Sequence, residues 1–271
     1  LSLLGAVYLG YYAITSMGGN SLYGLLAQAG AVMLPHIVEE TGKHEKDFSI
    51  FEKYLIKPSV YLAYLSALMV SFLFFIIPAV VESWLTEYIP GISAFYLFLP
   101  GFFFLSIIIV ANNILNVILI SKEKQYWLVV IQFFAVLIEI ISGYLLIKAG
   151  WGIAGVALGS TLSYMVYALI VLYLASSYSI QDQPARWRFF FEVFLPFLYG
   201  ISIALILLNV GRLELELHPL IRGVSQFILS AACFAVLIPR LNKKYSLFAD
   251  AQAIPLISRF INFTPRNKRN G

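Results

Sequence analysis

The chain has 271 residues, of which 61% are hydrophobic and 12% are charged. Soluble domains contain about 45–50% apolar and about 25% charged residues, so this composition excludes a water-soluble globular protein. The 22 Phe, 17 Tyr and 4 Trp also exclude a disordered chain, because such chains are poor in aromatic residues. The chain is therefore predicted to be a membrane protein.

Few residues of this chain are suited to metal binding or disulfide formation. Cys233 is the single cysteine, so neither a disulfide framework nor a cysteine metal cluster is expected. The three histidines, His36, His44 and His218, lie too far apart in the sequence to indicate a metal site. The formal net charge of +4 does not indicate nucleic-acid binding, because the basic residues lie between apolar runs. We predict no metal, no cofactor and no nucleic-acid partner.

Long stretches without charged residues predict seven membrane-spanning helices. A helix needs about 20 mostly apolar residues to cross a hydrocarbon core of about 30 Å. The predicted spans lie near residues 12–37, 58–81, 91–117, 126–147, 153–175, 193–211 and 223–239. These runs lack the apolar/polar alternation of barrel strands, so residues 1–239 are predicted to form an all-α transmembrane bundle. An eighth span, made by splitting the first run at Gly18-Gly19-Asn20, is disfavoured because the residues before it are too few for a crossing.

Lysine and arginine are concentrated on alternate connections between the predicted spans. Fifteen of the 18 lie on one set, which includes Lys53, Lys57 and the basic tail at residues 240–271, and three lie on the other. Positive charge stays on the cytoplasmic side, so the tail is predicted to be cytoplasmic and the first span to start outside. An odd number of spans with an exterior start is expected of a larger transporter whose N-terminal half is absent from this chain.

Four stretches of the sequence carry a resemblance through their order along the chain. This order is more specific to a family than any one of the stretches. They are Leu9–Ile14 opening a span, Val32–Pro35 closing it, Asn112–Asn116 before the Lys122–Lys124 loop, and Ala149–Gly159 with the sequence AGWGIAGVALG. This order resembles the polysaccharide-unit flippases of the multidrug, oligosaccharidyl-lipid and polysaccharide exporter superfamily, and more narrowly their C-terminal bundle. One position departs from the resemblance, because this chain has Glu139 where relatives commonly have asparagine.

The resemblance implies a transporter of the bacterial inner membrane that moves polyprenyl-pyrophosphate-linked oligosaccharides for polysaccharide biosynthesis, such as O-antigen synthesis. It implies alternating access between two bundles, with the N-terminal bundle as partner, membrane lipid around both and the lipid-linked oligosaccharide as substrate. Lys53 and Lys57, at the inner mouth of the second span, are the cations expected to offset the pyrophosphate charge.

Glu139 is the main candidate for the transport pathway. At about 1.5 Å per residue it lies some 21 Å from the inner end of the fourth predicted span and about 14 Å from the outer end. Gln132, Ser142 and Gly143 share its helical face. An ionisable side chain at this depth costs several kcal/mol unless it is paired or neutralised, which favours a functional role. A titrating or cation-binding switch and a protonated Glu bonded to a neighbouring helix remain equally compatible with the sequence.

Two further polar stripes fit the same pathway. Asn112, Asn113 and Asn116 share one face of the third span near its cytoplasmic end. They would bind sugar hydroxyls or pyrophosphate there, or, as the favoured alternative, join helices by hydrogen bonds. The second stripe lies in the fifth span and comprises Ser160, Ser163, Tyr164 and Tyr167. It is compatible with a cavity wall and equally with tyrosines bonded between helices.

Proline and glycine positions predict hinges and close helix packing. Pro100-Gly101 and Pro196 are expected to free backbone carbonyls within their helices, as at transporter sites and hinges. A plain kink is the alternative, and it is favoured more at Pro196 than at Pro100-Gly101. Gly152, Gly155 and Gly159 are expected to lie on one helical face that another helix approaches closely. A dinucleotide-binding interpretation of these glycines is rejected because the required βαβ context is missing.

Three other functions compete with the flippase interpretation. A cation-coupled multidrug exporter of the same superfamily would use Glu139 as its ion-coupled carboxylate. A membrane glycan polymerase or glycosyltransferase is less favoured, because the predicted exterior loops are short and no nucleophile with a base stands out, so no enzyme activity is predicted. A non-transporting membrane scaffold is the third.

Overall fold

A computed structural model describes residues 5–31, 35, 38–39, 51–211 and 218–245, and within these residues it is helical without strands. The helices are α1 (Ala6–Ala31), α2 (Glu52–Trp84), α3 (Ile92–Ile107), α4 (Ile109–Ser121), α5 (Tyr126–Lys148), α6 (Gly152–Ser179), α7 (Gln183–Gly211), α8 (Pro219–Ala235) and α9 (Ile238–Tyr245), with a 3₁₀ turn at Thr86–Gly91 before α3. The predicted all-α polytopic bundle is confirmed.

Six helical segments of the described chain are long and apolar enough to cross a membrane. They are Glu52–Trp84, Thr86–Ile107, Tyr126–Lys148, Gly152–Ser179, Gln183–Asn209 and Pro219–Tyr245. The chain is thus a multi-pass membrane protein. α1, which corresponds to the first predicted span, has 26 residues and no charge, but its tyrosines, glycines and polar residues keep it outside this apolar group. Residues 32–34 and 36–37 of that span lie outside the described residues.

Two of the helices, α2 and α7, extend into charged residues that precede their predicted spans. α2 begins at Glu52 and α7 at Gln183, so Lys53 and Lys57 lie on a helix rather than in a loop. Lysine and arginine are good helix formers and reach water with their long side chains, so a charge does not end a membrane helix. The backbone N–H of Ala185 donates to Asp182 Oδ2 at 3.1 Å and caps the start of α7.

The third predicted span consists of two helices, and their boundary is not at the predicted place. α3 continues through Pro100, as α7 does through Pro196, and the interruption lies at Ile108. The hydroxyl of Thr161 on α6 donates to the Leu97 carbonyl at 2.6 Å. This bond connects α6 to the turn of α3 that precedes Pro100.

Two of the three predicted packing glycines bring α5 and α6 together. A methyl group added at Gly159 would lie 2.8 Å from the Gly143 nitrogen, and one at Gly155 would lie 2.8 Å from Leu146 Cβ. Gly152 has a φ of +52° and open space around its missing side chain. Gly152 is thus the first residue of α6, where the chain turns into the helix, and of the three predicted glycines only Gly155 and Gly159 make the close contacts.

A second compact unit begins at Ala231, and residues 231–245 of it are described. It holds the end of α8 and all of α9, whose last turn carries Lys243 and Lys244. The rest of the predicted basic tail, and the predicted cytoplasmic residues Lys43 and Lys46, lie outside the described residues.

Gly159→Ala is expected to destabilise the bundle, whereas Gly143→Ala is not. The methyl group at position 159 would meet backbone, but the same group at position 143 meets nothing within 4 Å. We expect Gly159→Ala to lower the free energy of unfolding by about 1–3 kcal/mol. Gly143→Ala should leave it unchanged or raise it by about 0.5–1 kcal/mol, because alanine favours a helix. SDS-induced unfolding in mixed micelles measures both, and equal destabilisation would contradict the packing described here.

Candidate functional site

Polar side chains from four helices meet between α1, α4, α5 and α6. Each of these side chains is hydrogen-bonded to a neighbouring helix or lies close to a polar side chain on one. We call this group the polar seam, and it comprises Tyr12, Tyr23, Asn112, Gln132, Glu139, Ser160, Ser163, Tyr164 and Tyr167. α6 supplies the largest share, because its polar residues recur at intervals of three and four and so lie on one face.

Glu139 is hydrogen-bonded to α6 near the middle of α5. The hydroxyl of Ser160, which is fully buried, donates to Glu139 Oε1 at 2.6 Å. Tyr12 on α1 is in hydrogen-bonding contact with the same serine, and the phenol of Tyr164 interacts electrostatically with Glu139. The Glu139 side chain is half-buried within the chain. The hydrogen bond to a neighbouring helix is thus found, while titration of Glu139 stays a prediction.

A second set of contacts joins α4, α5 and α6 through Tyr167. Its hydroxyl donates to Asn112 Oδ1 at 3.0 Å and receives a long contact from Gln132 Nε2 at 3.5 Å. The Ser163 hydroxyl donates to the Ala135 carbonyl of α5 at 2.6 Å. The polar stripe of α6 and Asn112 therefore make the interhelical hydrogen bonds that were one of their two predicted roles.

Other predicted residues of the site lie beside the seam or away from it. Ser142 donates to the Ile138 carbonyl of its own helix and faces Gly159. Asn116 is exposed and Asn113 is half-buried. These three residues are not members of the polar seam.

The two candidate cations lie on the first turns of α2. Lys53 is exposed, with its Nζ 4.7 Å from the centre of the Tyr54 ring, and Lys57 is half-buried. Neither lysine belongs to the polar seam. Pro100 lies in the adjoining helix α3, and Gly101 beside it is in close contact with Thr161 and Tyr164 of α6. Gly101 is therefore a close-packing position next to the seam, and a hinge at Pro100-Gly101 stays a prediction.

The sequence interpretation missed the contribution of α1. Tyr12 and Tyr23 are 11 residues apart, which is about three helical turns, so they lie on the same face. Tyr23 lies close to both Tyr164 and Tyr167. This spacing was a signal in the sequence, but it did not reveal which helix the face would contact. Among the described residues, no group of three or more His, Cys, Asp or Glu side chains could hold a metal ion.

No protein-family model, no curated protein and no solved structure matches the chain. The resemblance to polysaccharide-unit flippases therefore rests on the four stretches quoted for it and stays a prediction.

Tyr167→Phe is expected to weaken the bundle by removing the hydroxyl that joins three helices. Interhelical hydrogen bonds in membranes contribute about 0.6 kcal/mol on average and up to about 1.7 kcal/mol. The substitution should therefore lower the free energy of unfolding by an amount in that range. A double-mutant cycle with Asn112→Ala, measured by unfolding in mixed micelles, isolates their hydrogen bond. Tyr173→Phe is the matched control, because Tyr173 lies on the same helix and is 56% exposed. A coupling of zero between positions 112 and 167 would show that the bond does not stabilise the fold.

Proposed function

We propose that the chain is one bundle of a membrane transporter that moves polyprenyl-pyrophosphate-linked oligosaccharides across the bacterial inner membrane by alternating access. In this proposal the C-terminus is cytoplasmic and a second, N-terminal bundle completes the transport path. The observation that carries the proposal is the position of Glu139, bonded to Ser160 between two membrane-spanning helices.

A sugar head group that crosses a membrane needs a path with hydrogen-bonding groups, because the hydrocarbon offers none. The polar seam supplies hydroxyls, two amides and a carboxylate within the apolar bundle. Tyrosine suits such a path, since its ring is apolar and its hydroxyl is polar. Half-exposed members such as Tyr12, Tyr23 and Tyr164 have surface left with which to contact a substrate.

The exposed polar residues of α1 are consistent with a water-filled cleft or a second bundle beside this helix. Asn20, Ser21 and Gln28 are exposed on α1, and at about 100° per residue they lie within about 100° of one another around the helix axis. Polar side chains are costly against lipid. A water-filled cleft or a partner bundle on that side would remove the cost. Alternating access requires a cleft and a second bundle.

Lys53 and Lys57 would attract the pyrophosphate at the mouth of the path. They are four residues apart on α2, so they share one face of the helix. A pyrophosphate carries several negative charges, and ammonium groups are suited to bind it.

The competing function is a cation-coupled drug exporter, and Glu139 is the observation that favours it. A half-buried carboxylate with a hydroxyl neighbour is a suitable ligand for a proton or a small cation. Drug efflux that persists after glycan synthesis is removed would favour this alternative, whereas the proposed function requires that only lipid-linked sugars are moved.

Glu139→Ala should slow flipping of lipid-linked oligosaccharide about tenfold or more. A charge-assisted hydrogen bond contributes about 1.5–3 kcal/mol, and about 1.4 kcal/mol corresponds to a factor of ten. The measurement is the fraction of lipid-linked oligosaccharide that a membrane-impermeant reagent reaches on spheroplasts of the cells that carry the chain.

Glu123→Gln is the matched control, because Glu123 lies on the turn between α4 and α5 and outside the polar seam. Its flipping rate should equal that of the parent. Unchanged flipping by Glu139→Ala would reject the role of the carboxylate. Unchanged flipping in cells that lack the chain would reject the proposed function as a whole.

A further inference from the structure

Two adjoining cavities of different polarity lie between α2, α3, α7 and α8, on helices other than those that form the polar seam. The first has a volume of about 160 Å³ and apolar walls that include Ala67, Val70, Leu99, Phe197, Ile201 and Ala204. The second has a volume of about 200 Å³, and Glu82, Arg222 and Gln226 line it. Phe74 and Tyr96 belong to the walls of both. We call the two together the amphipathic groove.

The polar end of the groove holds an ion pair between α2 and α8. Arg222 Nη2 donates to Glu82 Oε2 at 2.6 Å, and the side chains are 40% and 34% exposed. Gly223 brings these helices together, because a methyl group there would lie 2.6 Å from both Ala79 Cβ and the Phe75 carbonyl oxygen. The close approach of α8 places the guanidinium beside the carboxylate.

Each partner of this ion pair keeps the capacity to bind a further group. A guanidinium has five N–H donors and a carboxylate about four acceptor positions, and their contact occupies one nitrogen and one oxygen. The cavity therefore presents a positive and a negative group side by side. A ligand with a positive and a negative charge in its head group complements both, whereas a purely anionic ligand meets repulsion from Glu82.

The dimensions of the groove suit one lipid chain. Its wall on α2 runs from Ala67 to Glu82, which is about 22 Å at about 1.5 Å per residue. A single leaflet accounts for about half of a hydrocarbon core of about 30 Å. The groove thus reaches from the head-group level into the middle of the membrane, with its apolar part at the inner end.

We propose that the amphipathic groove binds one phosphatidylethanolamine molecule. Its phosphate pairs with Arg222, its ammonium group pairs with Glu82, and one acyl chain occupies the apolar cavity. A primary ammonium has three N–H donors for the carboxylate, whereas the quaternary ammonium of phosphatidylcholine has none. This site goes beyond the proposed transport function and does not depend on it.

The test is native mass spectrometry of the full chain released from nanodiscs that contain equal amounts of phosphatidylethanolamine, phosphatidylcholine and phosphatidylglycerol. We expect the parent to retain phosphatidylethanolamine about tenfold more than either other lipid, the discrimination that one charge-assisted hydrogen bond supplies. Glycerophosphoethanolamine, which has the head group but no acyl chains, should not displace the bound lipid. Equal retention of the three lipids, or displacement by the head group alone, would overturn the proposal.

Substitutions separate the two ends of the groove. Glu82→Gln removes the anion and should shift the preference to phosphatidylglycerol, whereas Glu87→Gln, on the exposed turn after α2, should leave it unchanged. Ala204→Leu fills the apolar cavity and should reduce retention of all three lipids about tenfold, because the acyl chain loses its cavity. The unfolding midpoint of each variant shows that the bundle is intact. An unchanged preference in folded Glu82→Gln, or unchanged retention in folded Ala204→Leu, would overturn the proposal.

Discussion

Every polar group within a membrane must find its partner inside the protein, and in this bundle α6 supplies most of those partners. Its hydroxyls donate to Glu139 and Ala135 on α5, to Leu97 on α3 and to Asn112 on α4. Each such bond contributes little to stability, about 0.6 kcal/mol on average. Apolar side chains contact lipid as favourably as they contact one another, so packing alone does not specify how helices align. Directional hydrogen bonds do specify it, and α6 therefore determines the register of the three helices around it.

Helices of this bundle approach one another closely at the places where they make polar contacts. The close approach of the backbones lets a polar side chain reach the neighbouring helix. Gly159 lets α5 and α6 come near enough for a serine hydroxyl to reach across, and Ser160 is the next residue on that helix. Gly223 does the same for α2 and α8, and Arg222 is its neighbour. A larger residue at Gly159 would hold the backbones apart and leave the buried Ser160 hydroxyl without its partner, which costs more than the bond itself contributes. The small residues and the polar residues of this bundle thus work as adjacent pairs.

The sequence predicts the helices of this bundle better than it predicts their neighbours. Apolar runs of about 20 residues are specific to a membrane, so the all-α bundle followed from them. Helical spacing also predicted the polar face of α6, because that face depends on one helix alone. Periodicity does not tell which helix a face contacts, and for that reason the tyrosines of α1 and the pair formed by Glu82 and Arg222, 140 residues apart, were missed. The hydrogen bond from Thr161 on α6 to the Leu97 carbonyl of α3 was also beyond the sequence, because the two residues are 64 positions apart.

α3 connects the two polar regions of the bundle, because its opposite sides belong to different sites. Leu97 and Gly101 face α6 and the polar seam, whereas Tyr96, Leu99 and Pro100 line the amphipathic groove. These residues lie within six positions of one another, so a rigid helix cannot shift on one side without shifting on the other. A displacement of α3 that widens the groove therefore changes the distance between α3 and α6, and with it the hydrogen bond from Thr161. The groove and the polar seam therefore share α3 as a common structural element.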